Sequence, residues 1–333
     1  MVVPGSPPIP RTTAVMSAGL SLVGRSGRYF ALIGDALNPV TRFLTFILLS
    51  CIGLQLAGLD FAGDKTTQAM CVALLLLGLP HGTFDWQLLR AGLNQSIHTF
   101  AFRIALYLAL AAATYLVWQL APTAALAIFL LIAVVHFAED WGSDGIHANP
   151  AAIKPEFLAL AMPMSIITLP ALSHPEMLRS IFVMLSGDDS SAMLVDAMIL
   201  LAPVATGIAA AKIVMDITTG DLSRGVAGLC VLAAMVALPP IAGFSLYFCL
   251  YHSPIHFKAG WSELTTGDAR YPALLTTGLS IGGLVLASMV YFFGQRVVVT
   301  DSLVVTTFLT LSMLTVPHML VPSIIGWSRA TDR

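Results

Sequence analysis

Two histidines four residues apart, His252 and His256 in the stretch YHSPIHF, stand at the end of one of the most apolar runs in the chain. Residues at i and i+4 share one face of a helix, so both imidazoles can aim at a single point, as paired histidines do when they grip a metal ion. One helix supplies half of such a site, and the rest must come from other segments of a bundle. GLPHGTFD offers His81, set behind Pro80 and before Gly82, a local loosening that would let another helix or a ligand approach. VVHFAEDW offers His136, and TVPHMLV offers His318. Asp85 follows His81 by four residues, and Glu139 and Asp140 follow His136 by three and four. Such a carboxylate is either solvated at a helix end or held against a metal-bound imidazole, where it accepts the ring N–H and fixes the tautomer. Tyr247 and Tyr251 lie on the segment of the paired histidines, where a hydroxyl can bind an oxygen species or satisfy a carbonyl. Imidazole donors suit zinc, copper, iron or nickel, and the lack of thiolate ligands argues against a structural zinc or an iron–sulfur centre.

The elements that position these residues belong in a bilayer. Hydrophobic residues make up 57% of the chain and charged residues 10%, with a mean hydropathy of +0.86, far from the usage of a water-soluble domain. The net charge is −2 and no run of Lys or Arg accumulates, so nothing points to a nucleic-acid partner. Cys51, Cys71, Cys230 and Cys249 all lie inside apolar runs without metal-site spacing and read as small packed hydrophobes rather than disulfide partners. Lipid admits only helices or closed barrels, and strand alternation is absent, so the expected fold is an all-α, polytopic integral membrane helix bundle of about 8–10 transmembrane helices.

Apolar runs of spanning length predict helices near 40–59, 67–89, 99–119, 121–138, 157–173, 194–213, 225–238, 240–257, 272–293 and 301–322. The run from 225 to 257 is too long for one crossing and divides at Pro239 and Pro240, which lack backbone N–H groups and restrict the residues before them. The expected organisation is an N-terminal tail over 1–39, partly disordered or interfacial, an integral membrane domain over 40–325 and a short cytoplasmic tail over 326–333. Arg25, Arg28 and Arg42 precede the first span; Arg90 and Arg103, Lys212 and Arg224, and Lys258 and Arg270 flank later even-numbered loops. Positive-inside counting therefore puts both termini in the cytoplasm. With that threading His81, His136, His252, His256 and His318 all fall in the inner halves or at the inner ends of even-numbered spans, in one leaflet. His98, His147 and His174 fall in or beside loops, where a solvated histidine is the ordinary reading.

LGLPHGTFDWQLL, HFAEDW, YFCLYHSPIHF and TVPHMLV, in this order, resemble the motifs of the Brp/Blh family of membrane β-carotene 15,15′-dioxygenases over roughly residues 40–325. That resemblance implies a non-haem Fe(2+) site and cleavage of β-carotene with O2 at its central double bond into two molecules of all-trans-retinal. Carried onto this chain, it implies His81, His136, His252 and His256 as the iron ligands and His318 as a residue lining or supporting the site. Four imidazoles on an octahedral ion would leave two positions open for oxygen chemistry. It also implies a multi-pass protein of the bacterial inner membrane and a functional link to a retinal-binding microbial rhodopsin. Other readings are a membrane oxidoreductase acting on a different carotenoid or lipid, a bis-histidine haem protein, and a metal or proton transporter, whose pathways also use intramembrane histidines and acids. A di-iron desaturase would need more histidine boxes than the single HxxxH here, and a transporter would need polar residues strung across both leaflets.

Overall fold

A bilayer offers backbone amides no water, and the computed structural model answers that constraint with helices: no strand occurs among the residues it describes, 37–84, 97–142, 157–187, 189–264, 270–293 and 303–331. In chain order these are α1 (Pro39–Leu56), α2 (Asp64–Gly82), α3 (Ile97–Leu120), α4 (Pro122–Phe137), α5 (Phe157–Ser173), α6 (Pro175–Ser186), α7 (Ala192–Thr219), α8 (Leu222–Ala237), α9 (Pro240–Tyr247), α10 (Ser253–Leu264), α11 (Arg270–Phe293) and α12 (Leu303–Thr331). A 3₁₀ turn, Ala138–Trp141, extends α4, and a π-helical segment, Phe248–His252, joins α9 to α10 in one continuous rod. Every one of the ten expected spans contains a helix. Six helical stretches are long and apolar enough to cross a membrane among the described residues, and α5 and α8 are shorter apolar helices. The protein is a polytopic helical membrane protein.

Its outer surface is apolar. Phe46, Leu131, Leu200 and Phe292 are all at least two-thirds exposed, an arrangement that water would oppose and acyl chains accept. Of the six long apolar stretches, those least buried by the rest of the bundle are α3 and α11. Polar side chains turn inward instead: the Trp118 indole donates to Ser312 Oγ (2.8 Å) inside the bundle, tying α3 to α12.

The boundaries depart from expectation in identifiable ways. The division at Pro239 and Pro240 holds, because Leu238 leaves α8 in an extended conformation (ψ 151°) ahead of the prolines. The second helix stops at Gly82, with Thr83 and Phe84 in a turn, whereas the apolar run predicts helix to 89. The last helix continues to Thr331. One helix was not expected: α6 buries Leu178, Ile181, Phe182 and Leu185 at helical spacing while Glu176 faces out, and its one-sided pattern escapes a search for uniformly apolar runs. It begins at Pro175 and ends at Gly187, whose φ of 69° suits a residue without Cβ. Most of the expected N-terminal tail, through residue 36, lies outside the described residues.

Lys212 also differs from its expected place beside a cytoplasmic loop. It is buried within α7, where its ammonium donates to Asp216 Oδ1 at 2.6 Å, one turn away. Each charge is tolerated there because the other compensates it. Lys212→Met is therefore expected to destabilise the detergent-solubilised protein by about 3–5 kcal/mol in thermal or denaturant unfolding, and the double variant Lys212→Met/Asp216→Leu to recover most of that loss.

Candidate metal centre

The rod of α9 and α10 is distorted where the paired histidines sit. Pro254 carries no N–H, so the carbonyl of Leu250 loses its helical donor, and the proline ring would crowd it in a regular helix. The chain widens instead: Ser253 N–H bonds back to the Phe248 carbonyl, five residues earlier, and Phe248–His252 adopt a π turn. The freed hydroxyl of Ser253 donates to the Leu77 carbonyl of α2 (2.6 Å), and Cys249 Sγ approaches the Ala73 carbonyl (3.5 Å). These two stitches, four residues apart on both helices, set α2 and the rod side by side and parallel. The same register carries on at their ends, where the Phe84 ring meets Phe257 (5.3 Å) and covers Gly260, at which a Cβ would come within 2.4 Å of it. That register puts the backbone of His81, four residues past Leu77, level with Phe257. The His81 side chain and Asp85 lie outside the described residues.

Three elements bring four imidazoles together. The His136 ring, buried at the end of α4, lies 4.6 Å from that of His252, 5.8 Å from that of His256 and 5.0 Å from that of His318 on α12. His252 and His256 are 4.5 Å apart, so the i, i+4 pair does converge although a π turn ends at its first member. By contrast, His98 is exposed on α3, His174 meets the Val236 carbonyl (3.1 Å) away from the cluster, and His147 lies outside the described residues.

The centre of the arrangement is Asp140. α4 ends at Phe137 and tightens into the 3₁₀ turn, which Gly142 leaves in the left-handed region (φ 111°). That turn folds the Asp140 carboxylate inward, fully buried, instead of leaving it at a membrane interface. The Tyr247 hydroxyl donates to Oδ2 (2.5 Å), His252 Nδ1 lies 3.0 Å from Oδ2, and His256 Nε2 lies 2.9 Å from Oδ1. A carboxylate removed from water needs such partners. When both rings donate to it, the lone pairs are left on Nε2 of His252 and Nδ1 of His256, where a metal would take them. Tyr247 thus serves the carboxylate that meets the paired imidazoles. Tyr251 stacks on Trp141 (5.0 Å), and Glu139 is half-buried beside Asp140.

Asp140, His252 and His256 offer donor atoms within 4.8 Å of one another, and His136 and His318 complete a nitrogen-rich set with no thiolate. That donor set fits a borderline transition metal such as iron, zinc, nickel or copper. His318 also borders a chamber of about 460 Å³, whose walls include Gly78, Leu79, Tyr107, Phe248 and Leu286 and are almost wholly apolar. Gly78 is required there, since a Cβ would come within 2.5 Å of the Phe248 ring. The chamber lies among α2, α3, α11 and α12, so two of its walls are the least buried of the six long apolar stretches.

Fold and site together define a multi-pass helical membrane protein that holds clustered histidines and one buried carboxylate beside an apolar chamber. A sequence-family model described as beta-carotene 15,15′-dioxygenase matches residues 72–325, from within α2 into α12, and the chain belongs to that family. It is similar to a protein of uncultured marine bacterium 66A03 named beta-carotene 15,15′-dioxygenase, 27% identical over 265 residues that cover 74% of this chain and 90% of that one. No solved structure matches.

If Asp140 orients the imidazoles, Asp140→Asn should weaken metal binding by roughly 10–100-fold, because an amide cannot accept from both rings and the phenol. Metal titration of the purified variant measures this, and unchanged affinity would remove the carboxylate from that role.

Proposed function

We propose that this protein is a non-haem iron dioxygenase that cleaves β-carotene at its central 15,15′ double bond with O2, giving two molecules of all-trans-retinal. The observation that carries the reading is the meeting of four imidazoles and a buried carboxylate at the wall of an apolar chamber. His81, His136, His252 and His256 are the ligands in this reading, with His318 supporting the site from the chamber wall. Iron, when bound, would supply the activation of dioxygen.

The residues have roles that follow from where they are. Asp140 holds His252 and His256 in single tautomers and orientations, and Tyr247 occupies the remaining position on Oδ2. The reaction breaks one carbon–carbon double bond and the O–O bond and forms two carbonyls, so it needs no net proton. A carboxylate committed to three hydrogen bonds suits that stoichiometry, because it positions and is not asked to donate. β-Carotene dissolves in the hydrocarbon layer and would enter laterally, past α3 or α11, into a chamber that excludes water. Both products leave by the same apolar phase, where a retinal-binding rhodopsin could collect them. The protein would lie in a bacterial inner membrane with both termini in the cytoplasm.

Expression in a β-carotene-producing bacterial host, with retinal measured by chromatography and iron by elemental analysis, tests the reading. Retinal is expected from the wild type and from His98→Ala. His81→Ala, His136→Ala, His252→Ala and His256→Ala are each expected to lose turnover and bound iron. A folded, iron-loaded wild type that makes no retinal would redirect the assignment to another carotenoid or lipid.

A further inference from the structure

A second cavity, with a volume of about 70 Å³, lies in another part of the bundle. Six helices enclose it, through residues that include Ala133 of α4, Ile166 of α5, Ile181 of α6, Met198 of α7, Phe244 of α9 and Phe308 of α12. Every lining residue is apolar and none is exposed. A buried water requires about two to four hydrogen-bond partners, which these side chains do not offer, and dry apolar cavities instead take up apolar atoms or molecules; one of about 150 Å³ admits benzene or xenon. This one is smaller and suits a diatomic gas. It is far too small for a polyene.

Its position relates it to the metal centre. Ala133 precedes His136 by three residues on one helix, a rise of about 4.5 Å. The Phe244 ring on the cavity wall lies 6.1 Å from that of Phe137, which lies 4.9 Å from His252 and 5.6 Å from His136. A single aromatic side chain therefore stands between the cavity and the imidazoles. Another wall of the cavity is the apolar face of α6, through Leu178, Ile181 and Phe182, a helix that contributes no described residue to the imidazole cluster or to the chamber.

We propose that this cavity is a holding site for dioxygen, filled from the hydrocarbon layer, in which an apolar gas dissolves readily, and emptied toward the metal centre past Phe137 and Phe244. The proposal rests on the dioxygenase reading above. It separates the two substrates by size, since the chamber bordered by His318 takes the polyene and the smaller cavity takes the gas.

Xenon is the probe. Crystals of the iron-loaded protein pressurised with xenon are expected to show an atom in this cavity, and xenon is expected to inhibit turnover competitively with O2. Ile181→Phe and, independently, Leu178→Phe should fill the space from α6. Each should exclude xenon and raise KM for O2 by roughly three- to tenfold, leaving kcat at saturating O2 and KM for β-carotene unchanged. A cavity that holds ordered water, or an active enzyme whose KM for O2 ignores both the filled cavity and xenon, would overturn the proposal. Xenon bound in an iron-loaded protein that consumes no O2 with any carotenoid would instead mark failure of the dioxygenase reading, and the oxygen role would fall with it.

Discussion

A carboxylate buried in a membrane protein is the constraint around which this structure is organised. Asp140 has left water completely, and a charge in that position is tolerable only when hydrogen-bond donors surround it. Three donors, Tyr247, His252 and His256, come from a single continuous rod on the other side of the site. The interaction therefore couples α4 to α9 and α10, and it sets the orientation of two imidazoles at the same time. Local features serve that contact. The 3₁₀ turn after Phe137 and the left-handed Gly142 deliver the carboxylate, and the π turn forced near Pro254 delivers His252.

Around this centre the protein treats lipid and core as different solvents. Outward residues such as Phe46 and Leu200 need only be apolar, because acyl chains make no demand of shape. Inward residues must fit. Gly78 and Gly260 are positions where the fit is tight, since each receives an aromatic ring that a methyl group would displace. The chamber opens among the loosely packed α3 and α11, while the smaller cavity is lined by six helices, most of its lining residues buried. The two cavities share a wall of aromatic rings: Phe248, which faces the chamber, stacks on Phe244, which faces the smaller cavity (5.6 Å).

Hydropathy made the spans legible because a bilayer demands long apolar helices, and Pro239 and Pro240 divided the longest run because proline ends a helix for local reasons. The histidine pair was legible for the same kind of reason, since i, i+4 spacing is a property of one segment. α6 is not legible as a span because its apolar stripe is buried only by packing against α4, α5, α7 and α12, which a hydropathy window does not see. Lys212 was misplaced because a lysine inside an apolar run reads as the end of that run until its partner, Asp216, is seen to share its burial.

By itself, then, the sequence determined that this is an all-helical membrane protein, where most of its helices run, and that the paired imidazoles share one helix face, all consequences of local pattern and of the solvent. Only the tertiary structure decided what those imidazoles meet. That His318 stands with His136, that Asp140 rather than solvent faces His252 and His256, and that Tyr247 serves the carboxylate are relations between segments more than 100 residues apart. Such relations depend on register between packed helices, here set by contacts such as Ser253 with Leu77, and no period in a single segment encodes them.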